Sequence, residues 1–491
     1  MKGEEATLSF IHVKPHEAKW EQKRAKPKRS GSRSLQVSIS ETTKLLNLFN
    51  NVGPSNITEK QRGAVQDCRE LHQSTLAFLN RTLSGLSSSS INIIDANIYL
   101  SAALTNKNTC LEGLDSASGT MKPTLVKSVI NTYKHVSNSL SILSNPQMET
   151  PQYLSLMDDP KWPSSSDQGL FGDSDGEEYD PNEVIFVATD GSGNFRTITE
   201  AINFAPNNSE DRTVIRVKQG TYIENVEIPS YKTNIVMIGD GSDATFITGN
   251  RSHVGNWTTY HSATVGVSGE GFLARDIAFV NSAGPEKQQA VALRVNAEFT
   301  AFYRCLIDGY QDTLYVHSCR QFYRECAIYG TIDFIFGNAA VVLQECNIVS
   351  RKPLPGQYNV ITAQGRDDSN EATGISIQSC YIRADFDDSS VKSYLGRPWK
   401  AYSRTVYLES YVDDFIDPKG WILMPNSAEQ QSKTLYYGEY NNKPGASTDN
   451  RVNWSGYHVM DDVDAFNFTV LKFIFSGSDW LEKTWFPYDR I

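Results

Sequence analysis

The sequence predicts a parallel β-helix preceded by an α-helical bundle, and three observations carry that expectation. After Val184, short β-rich runs such as VIRVKQG, NIVMIGDG, AVALRV and AVVLQEC alternate with Gly, Asn, Asp and Ser. Helical periodicity is nearly absent there, apart from TITEAINFA, so the segment reads as all-β. Second, one strand motif repeats. FYRCLI (302–307), FYRECAI (322–328) and VLQECNI (342–348) align, with Cys305, Cys326 and Cys346 spaced 21 and 20 residues apart. GISIQSCYI brings Cys380 to the same place 34 residues on, one coil plus a loop, and FLARDIAF puts Asp276 at the equivalent position upstream. A period near 20 with one buried strand per unit is a solenoid signature. Coils stacked ~4.8 Å apart would bring successive cysteines within disulfide range. Third, residues 41–145 carry apolar side chains at helical spacing. Leu76, Leu79, Leu83 and Leu86 form one series; Val126, Val129, Tyr133, Val136, Leu140 and Leu143 form another.

Along the chain, residues 1–40 are poor in apolar groups and rich in Lys and Arg (Lys23, Arg24, Lys26, Lys28, Arg29), the composition of a disordered, solvated tail. Residues 41–145 read as an antiparallel helical bundle, with SGLSSSS at 84–90 as a joint. Cys68 and Cys110 fall on different predicted helices, where they either staple the pair or sit as free buried thiols. Residues 146–183 are acidic, with Pro, Ser and Gly throughout, and read as a linker before the β-helix domain at 184–491. The whole chain of 491 residues is 39% apolar with 46 basic and 57 acidic side chains, net −11. That balance argues against nucleic acid as the partner. No apolar run approaches the ~18 residues of a membrane span, and no apolar segment near the start reads as a secretory signal. Seven Asn-x-Ser/Thr sequons, at Asn56, Asn80, Asn207, Asn250, Asn256, Asn453 and Asn467, nevertheless favour a secretory route.

The coil period also exposes candidate chemistry. Gln289, Gln311 and Asp333 are spaced by 22 and 22 residues, and Asp312 precedes Asp333 by 21. On a β-helix these positions lie on successive coils of one face, so two carboxylates and two amides converge. Asp333 sits in the apolar GTIDFIFGNAAVVL and Asp312 in YQDTLYV. A buried carboxylate must be paired or perturbed, and two adjacent ones do not both ionise cheaply, which supplies an acid beside a nucleophile or base. Arg397, in YLGRPWKAYSRT, offers a planar bidentate grip on a carboxylate, and Trp399 a flat face for a sugar ring. No metal spacing, phosphate loop or Gly-x-Ser-x-Gly elbow is present, so neither a metal nor an organic cofactor is expected.

With these motifs in place, residues ~184–491 closely resemble plant pectin methylesterases, and ~41–145 their inhibitor-like domain. The blocks are GTYIE (220–224), QAVALR (289–294), YQDTLY (310–315), DFIFGNA (333–339) and LGRPW (395–399), in family order. The resemblance implies a right-handed parallel β-helix that hydrolyses galacturonate methyl esters in homogalacturonan at the cell wall. It implies Asp333 as nucleophile, Asp312 as proton donor and then base, and Gln311 with Gln289 at the oxyanion. Arg397 would hold Asp333, and Trp399, Arg397 and Thr259 would contact the sugar. It also implies disulfides Cys326–Cys346 and Cys68–Cys110, and inhibitor proteins as partners. The chain departs from the family in having no cysteine before Cys68 and no dibasic Arg-Arg-Leu-Leu site in the linker. A polygalacturonan-cleaving enzyme on the same scaffold and a non-catalytic binding protein are the rival readings; paired carboxylates also suit glycoside hydrolysis.

Overall fold

Stacked coils build the larger domain. The computed structural model describes residues 17–53, 55–88, 92–144, 184–425, 430–444, 447–475 and 480–490. The acidic 146–183 segment therefore lies outside the described residues. Three all-parallel sheets of eleven, seven and nine strands run the length of the domain. Sequence neighbours in a coil occupy different sheets, and each strand pairs with its counterpart one coil away, as Leu293 does with Leu314 and Val265. Inward-facing Val, Ile, Leu and Phe side chains from all three sheets form one continuous core. A short helix, Ile198–Phe204, closes the first coil with Ile198, Ala201 and Ile202 buried. Its Thr197/Glu200 capping box satisfies the first-turn amides, which accounts for the lone helical stretch in TITEAINFA.

One corner of each coil turns on a non-glycine residue with positive φ: Asp276, Arg304, Glu325, Glu345, Ser379 and Glu409. Cys305, Cys326, Cys346 and Cys380 each follow that corner and stack in one file. Asp276 stands in register with Arg304, not with Cys305, since Ala278 pairs with Leu306; the upstream alignment moves by one residue. Arg304 reaches down one coil to Asp276 (Nε–Oδ1 2.9 Å). The expected Cys326–Cys346 bond is absent: both are free, buried thiols. Each sulfur instead donates to backbone carbonyls, Cys326 to Phe302 and Arg324 (3.6 and 3.4 Å), Cys346 to Tyr323 and Gln344 (both 3.5 Å). The Cys68–Cys110 disulfide is formed.

The helical domain is a four-helix bundle of α1 (Glu17–Asn50), α2 (Ala64–Ser88), α3 (Ile93–Asp115) and α4 (Lys122–Leu143). The expectation of a disordered tail through residue 40 is thereby corrected: α1 crosses that boundary and packs on α4. Its buried positions are Gly31, Leu35, Ser38, Thr42, Leu45 and Phe49, a helical stripe in which half the members are small or hydroxylated. Ser38 and Ser34 hydrogen-bond Ser139 of α4 (3.2 and 2.8 Å), and Gly31 lets Leu143 approach. Close helix contact through small residues leaves little hydropathy signal.

Candidate active site

The seven-stranded sheet positions both carboxylates, both amides and Arg397. Gln289 leads into the strand Leu293–Val295, and Gln311 and Asp312 into Leu314–Val316. Asp333 lies within Ile332–Gly337, and Arg397 directly follows Ser393–Gly396. Successive strands are paired, so Gln289, Gln311 with Asp312, and Asp333 rise one coil at a time, and Arg397 lies two coils beyond Asp333, across the strand Asn359–Gln364. The register slips between Ile332 and Ile335, which span three residues against the two from Val360 to Thr362. This bulge takes Asp333 to φ 50° and aims it at the cleft, while Phe334 turns into the core, fully buried. Asp312 is also left-handed, φ 61°. Such conformations cost about 1–3 kcal/mol each and persist where neighbours over-determine them. Here the parallel strands above and below do so, through bonds such as Asp312 N–H to Ile332 O (3.0 Å).

Asp333 receives a fork from Arg397, Nε to Oδ1 at 2.8 Å and Nη2 to Oδ2 at 2.6 Å. Arg397 is itself fixed by its backbone N–H on Thr362 O (2.9 Å). Gly396 is required beside it, because a Cβ there would strike Thr362. Burial raises the Asp333 pKa above the ordinary carboxylate value, and the Arg397 hydrogen bonds and charge hold that rise back. Asp312 has no such fork. Burial and then the Asp333 charge push it well above the usual range. The fork on one carboxyl and its lack on the other thus push the two pKa values apart, the arrangement that sets an acid beside a nucleophile. Gln289 Oε1 is buried without a hydrogen-bond partner, so its amide is not committed to the fold.

An aromatic wall completes the cleft. Tyr315 stacks on Phe336 at 4.2 Å, and Phe336 meets the edge of Trp399 at 5.9 Å. Gly365 lets the Trp399 ring lie flat on the sheet, since a Cβ there would meet it. Gln289, Gln311, Asp312, Asp333, Arg397 and Trp399 line a single cavity of about 350 Å³, with Thr259 at its edge. All seven sequence-derived site residues come together. Phe336, unassigned at the sequence level, belongs to the wall; Phe334 and Trp421 are core.

The helical bundle supplies the cavity's other side. Asp67 and Thr109, with Gln61 and Glu112, line it. Asp67 pairs with His261, Thr109 hydrogen-bonds His317 Nε2 at 2.9 Å, and Glu112 binds Lys400 at 2.8 Å. Outlying ion pairs join Arg81 to Glu270 (2.5 Å), Asp95 to Arg320 (2.7 Å) and Lys107 to Asp367 (3.4 Å). The bundle core and the cleft wall form one contiguous apolar cluster that includes Leu104, Leu114, Tyr315 and Phe336. Nothing in the coil period pointed to these contacts.

Comparison with known proteins bears on the same residues. Positions 184–478 match the pectinesterase family. The chain belongs to that family. Positions 9–142 match the plant invertase/pectin methylesterase inhibitor family, which places the start of the helical domain within the span first read as a tail. The sequence is 59% identical over 478 residues to a probable pectinesterase/pectinesterase inhibitor of Arabidopsis thaliana, covering 93% of this chain and 86% of that one. The fold is similar to pectin methylesterase from carrot, with a TM-score of 0.61 and 51% identity over 62% of this chain and 97% of the other. It is also similar to a pectin methylesterase solved with a hexasaccharide, at TM-score 0.51 and 25% identity, over 62% of this chain and 98% of that chain. These matches agree with the right-handed β-helix and helical-domain architecture. The pectinesterase is a carboxylic ester hydrolase, and its reaction is the demethylesterification of pectin. No helix among its described residues is long and apolar enough to cross a membrane.

Proposed function

We propose that this pectinesterase works by double displacement on the methyl esters of homogalacturonan. The Asp333 carboxylate attacks the ester carbonyl carbon, and the side-chain amides of Gln311 and Gln289 donate to the oxyanion that forms. Collapse breaks the carbonyl–methoxy bond, and the protonated Asp312 gives its proton to the departing oxygen, releasing methanol. Asp312, now a carboxylate, takes a proton from water as that water attacks the acyl carbon. Asp333 departs as a carboxylate and the sugar acid is freed. Arg397 orients Asp333 and stabilises it each time it is ionised. Trp399, Arg397 and Thr259 hold the sugar. The observation that carries this reading is the Arg397 fork on Asp333 beside an unforked Asp312 that burial and the Asp333 charge push well above the usual carboxylate range. Methanol and new reducing ends released from methylated pectin by the full chain test it. Methanol without reducing ends is expected, and Asp333→Asn should lower its release by roughly 10³-fold or more, the scale of nucleophile removal. Chain cleavage without methanol would overturn the proposal.

The docked bundle supports a second role within the same reading. With α2 and α3 lining the cleft beside Trp399, the helical domain competes with a polysaccharide strand for that space and so acts as an inhibitor of the domain it is joined to. Separate inhibitor proteins of the same family would compete for that face. Action on pectin and the seven sequons together support secretion to the cell wall.

A further inference from the structure

The Arg397 guanidinium has a second partner. Its Nη1 donates to the hydroxyl of Tyr358 at 3.1 Å, on the side away from the Asp333 fork. Tyr358 directly precedes the strand Asn359–Gln364. Its place is set by that strand's register, Asn359 with Ser393 and Val360 with Tyr394, and by Asn359 N–H on Lys392 O at 2.9 Å. The ring stands edge-on to the buried Tyr394, centroids 5.8 Å apart at 90°, and 5.9 Å from the Arg397 guanidinium carbon. Tyr358 thus grips the cation from the coil that also anchors the Arg397 backbone through Thr362. It carries no motif signal, lying in the unremarkable GQYNV at 356–360.

The chemistry gives this contact a purpose, on the double-displacement reading above. Once Asp333 is acylated it is no longer an anion, and Arg397 loses its counter-charge. A long side chain released from an ion pair regains its rotamer freedom. The Tyr358 hydroxyl is a neutral acceptor, unchanged through the cycle. We propose that Tyr358 is a positioning residue that keeps the Arg397 guanidinium facing Asp333 through both half-reactions. Its largest effect falls on the second half, where Asp333 is the leaving carboxylate and needs the cation in place as charge returns.

Tyr358→Phe in the full chain removes only a half-buried hydroxyl and leaves the ring on Tyr394. Two readouts test the proposal. Infrared carboxyl spectra against pH, with the Asp333 band identified by its loss in Asp333→Asn and the Asp312 band by its loss in Asp312→Asn, follow both members of the pair, since the Asp333 charge acts on Asp312. Glu112 and Arg397 face the same space and are common to all these chains. The Asp333 midpoint should rise by about half a pH unit or more, the scale of one weakened charge-assisted hydrogen bond. Rapid-mixing methanol release should show a burst of one equivalent and then a slower steady rate, about 3- to 10-fold below the parent, with KM falling alongside kcat and kcat/KM little changed, as slowed deacylation requires. A merely structural role would produce neither signature. An unshifted midpoint with no burst overturns the proposal, as does a raised KM with an unshifted midpoint, which would place the hydroxyl on the sugar instead. A shifted midpoint in chains that release no methanol upholds Tyr358 as the holder of Arg397 and overturns the esterase mechanism instead.

Discussion

Asp312 and Asp333 are the same side chain in two electrostatic settings. Both are buried, and burial raises both; the difference is that Arg397 hydrogen-bonds Asp333, while Asp312 feels its charge only at a distance and is raised further by Asp333. The sign of the pH dependence follows. Turnover needs Asp333 ionised, so it falls as acid carries the pH down through that raised pKa. It also needs Asp312 protonated, so it falls again as base carries the pH up through a value well above the carboxylate range. A bell-shaped kcat/KM profile is expected, and Arg397→Ala should move its acid limb to higher pH, because the group that favours the ionised form has gone. A flat profile between pH 4 and 8 would contradict this. Both aspartates were legible in the sequence because each sits among apolar neighbours at one coil's spacing. Tyr358 was not, since its contact depends on strand register across a loop of irregular length, which no period encodes.

At the scale of the element, the coil repeat was readable because a parallel β-helix writes its stacking into the chain as a spacing. Spacing alone does not specify bonding. Cys326 and Cys346 stack as expected, yet both donate to carbonyls. A direct count checks this: unfolded without reductant, the chain should titrate five thiols (Cys305, Cys319, Cys326, Cys346 and Cys380). Reduction of Cys68–Cys110 should then add that pair. A count of three before reduction would restore the Cys326–Cys346 bond. Helix α1 failed to stand out for the opposite reason. Its inward stripe holds Gly31, Ser38 and Thr42 where leucine would have given a period, and its flanking basic residues resemble a solvated tail. A helix that packs through small residues keeps its geometry and loses its hydropathy signature.

The two units of the whole molecule meet at a titratable pair. At their junction His261 meets Asp67, with Arg294 and Glu70 nearby. Burial works against the imidazolium, but the Asp67 hydrogen bond and charge outweigh it, and the net shift is upward. A histidine raised in the docked state contributes its full stabilisation below its undocked pKa and loses it as pH rises through the docked one. The bundle should therefore hold most firmly in mild acid and loosen toward alkaline pH. Hydrogen exchange of α2 and α3 across that range measures it, and Asp67→Asn should flatten the dependence. Unchanged protection in the parent chain from pH 5 to 8 would exclude the latch. His317, behind Thr109, does not compete for this role, because burial lowers it to about 3 and keeps it neutral.

Lys400 ties the two scales together. It adjoins Trp399, the ring proposed for the sugar, and its ammonium is held by Glu112 of the bundle. Saccharide and bundle thus draw on one short loop, and linkage is reciprocal: the free energy by which a docked bundle weakens saccharide binding is the free energy by which bound saccharide weakens docking. A dense matrix of methylated polymer would then be more than a substrate for this chain. By mass action it would prise the lid from the cleft, and it would do so less effectively as the ester it binds is spent.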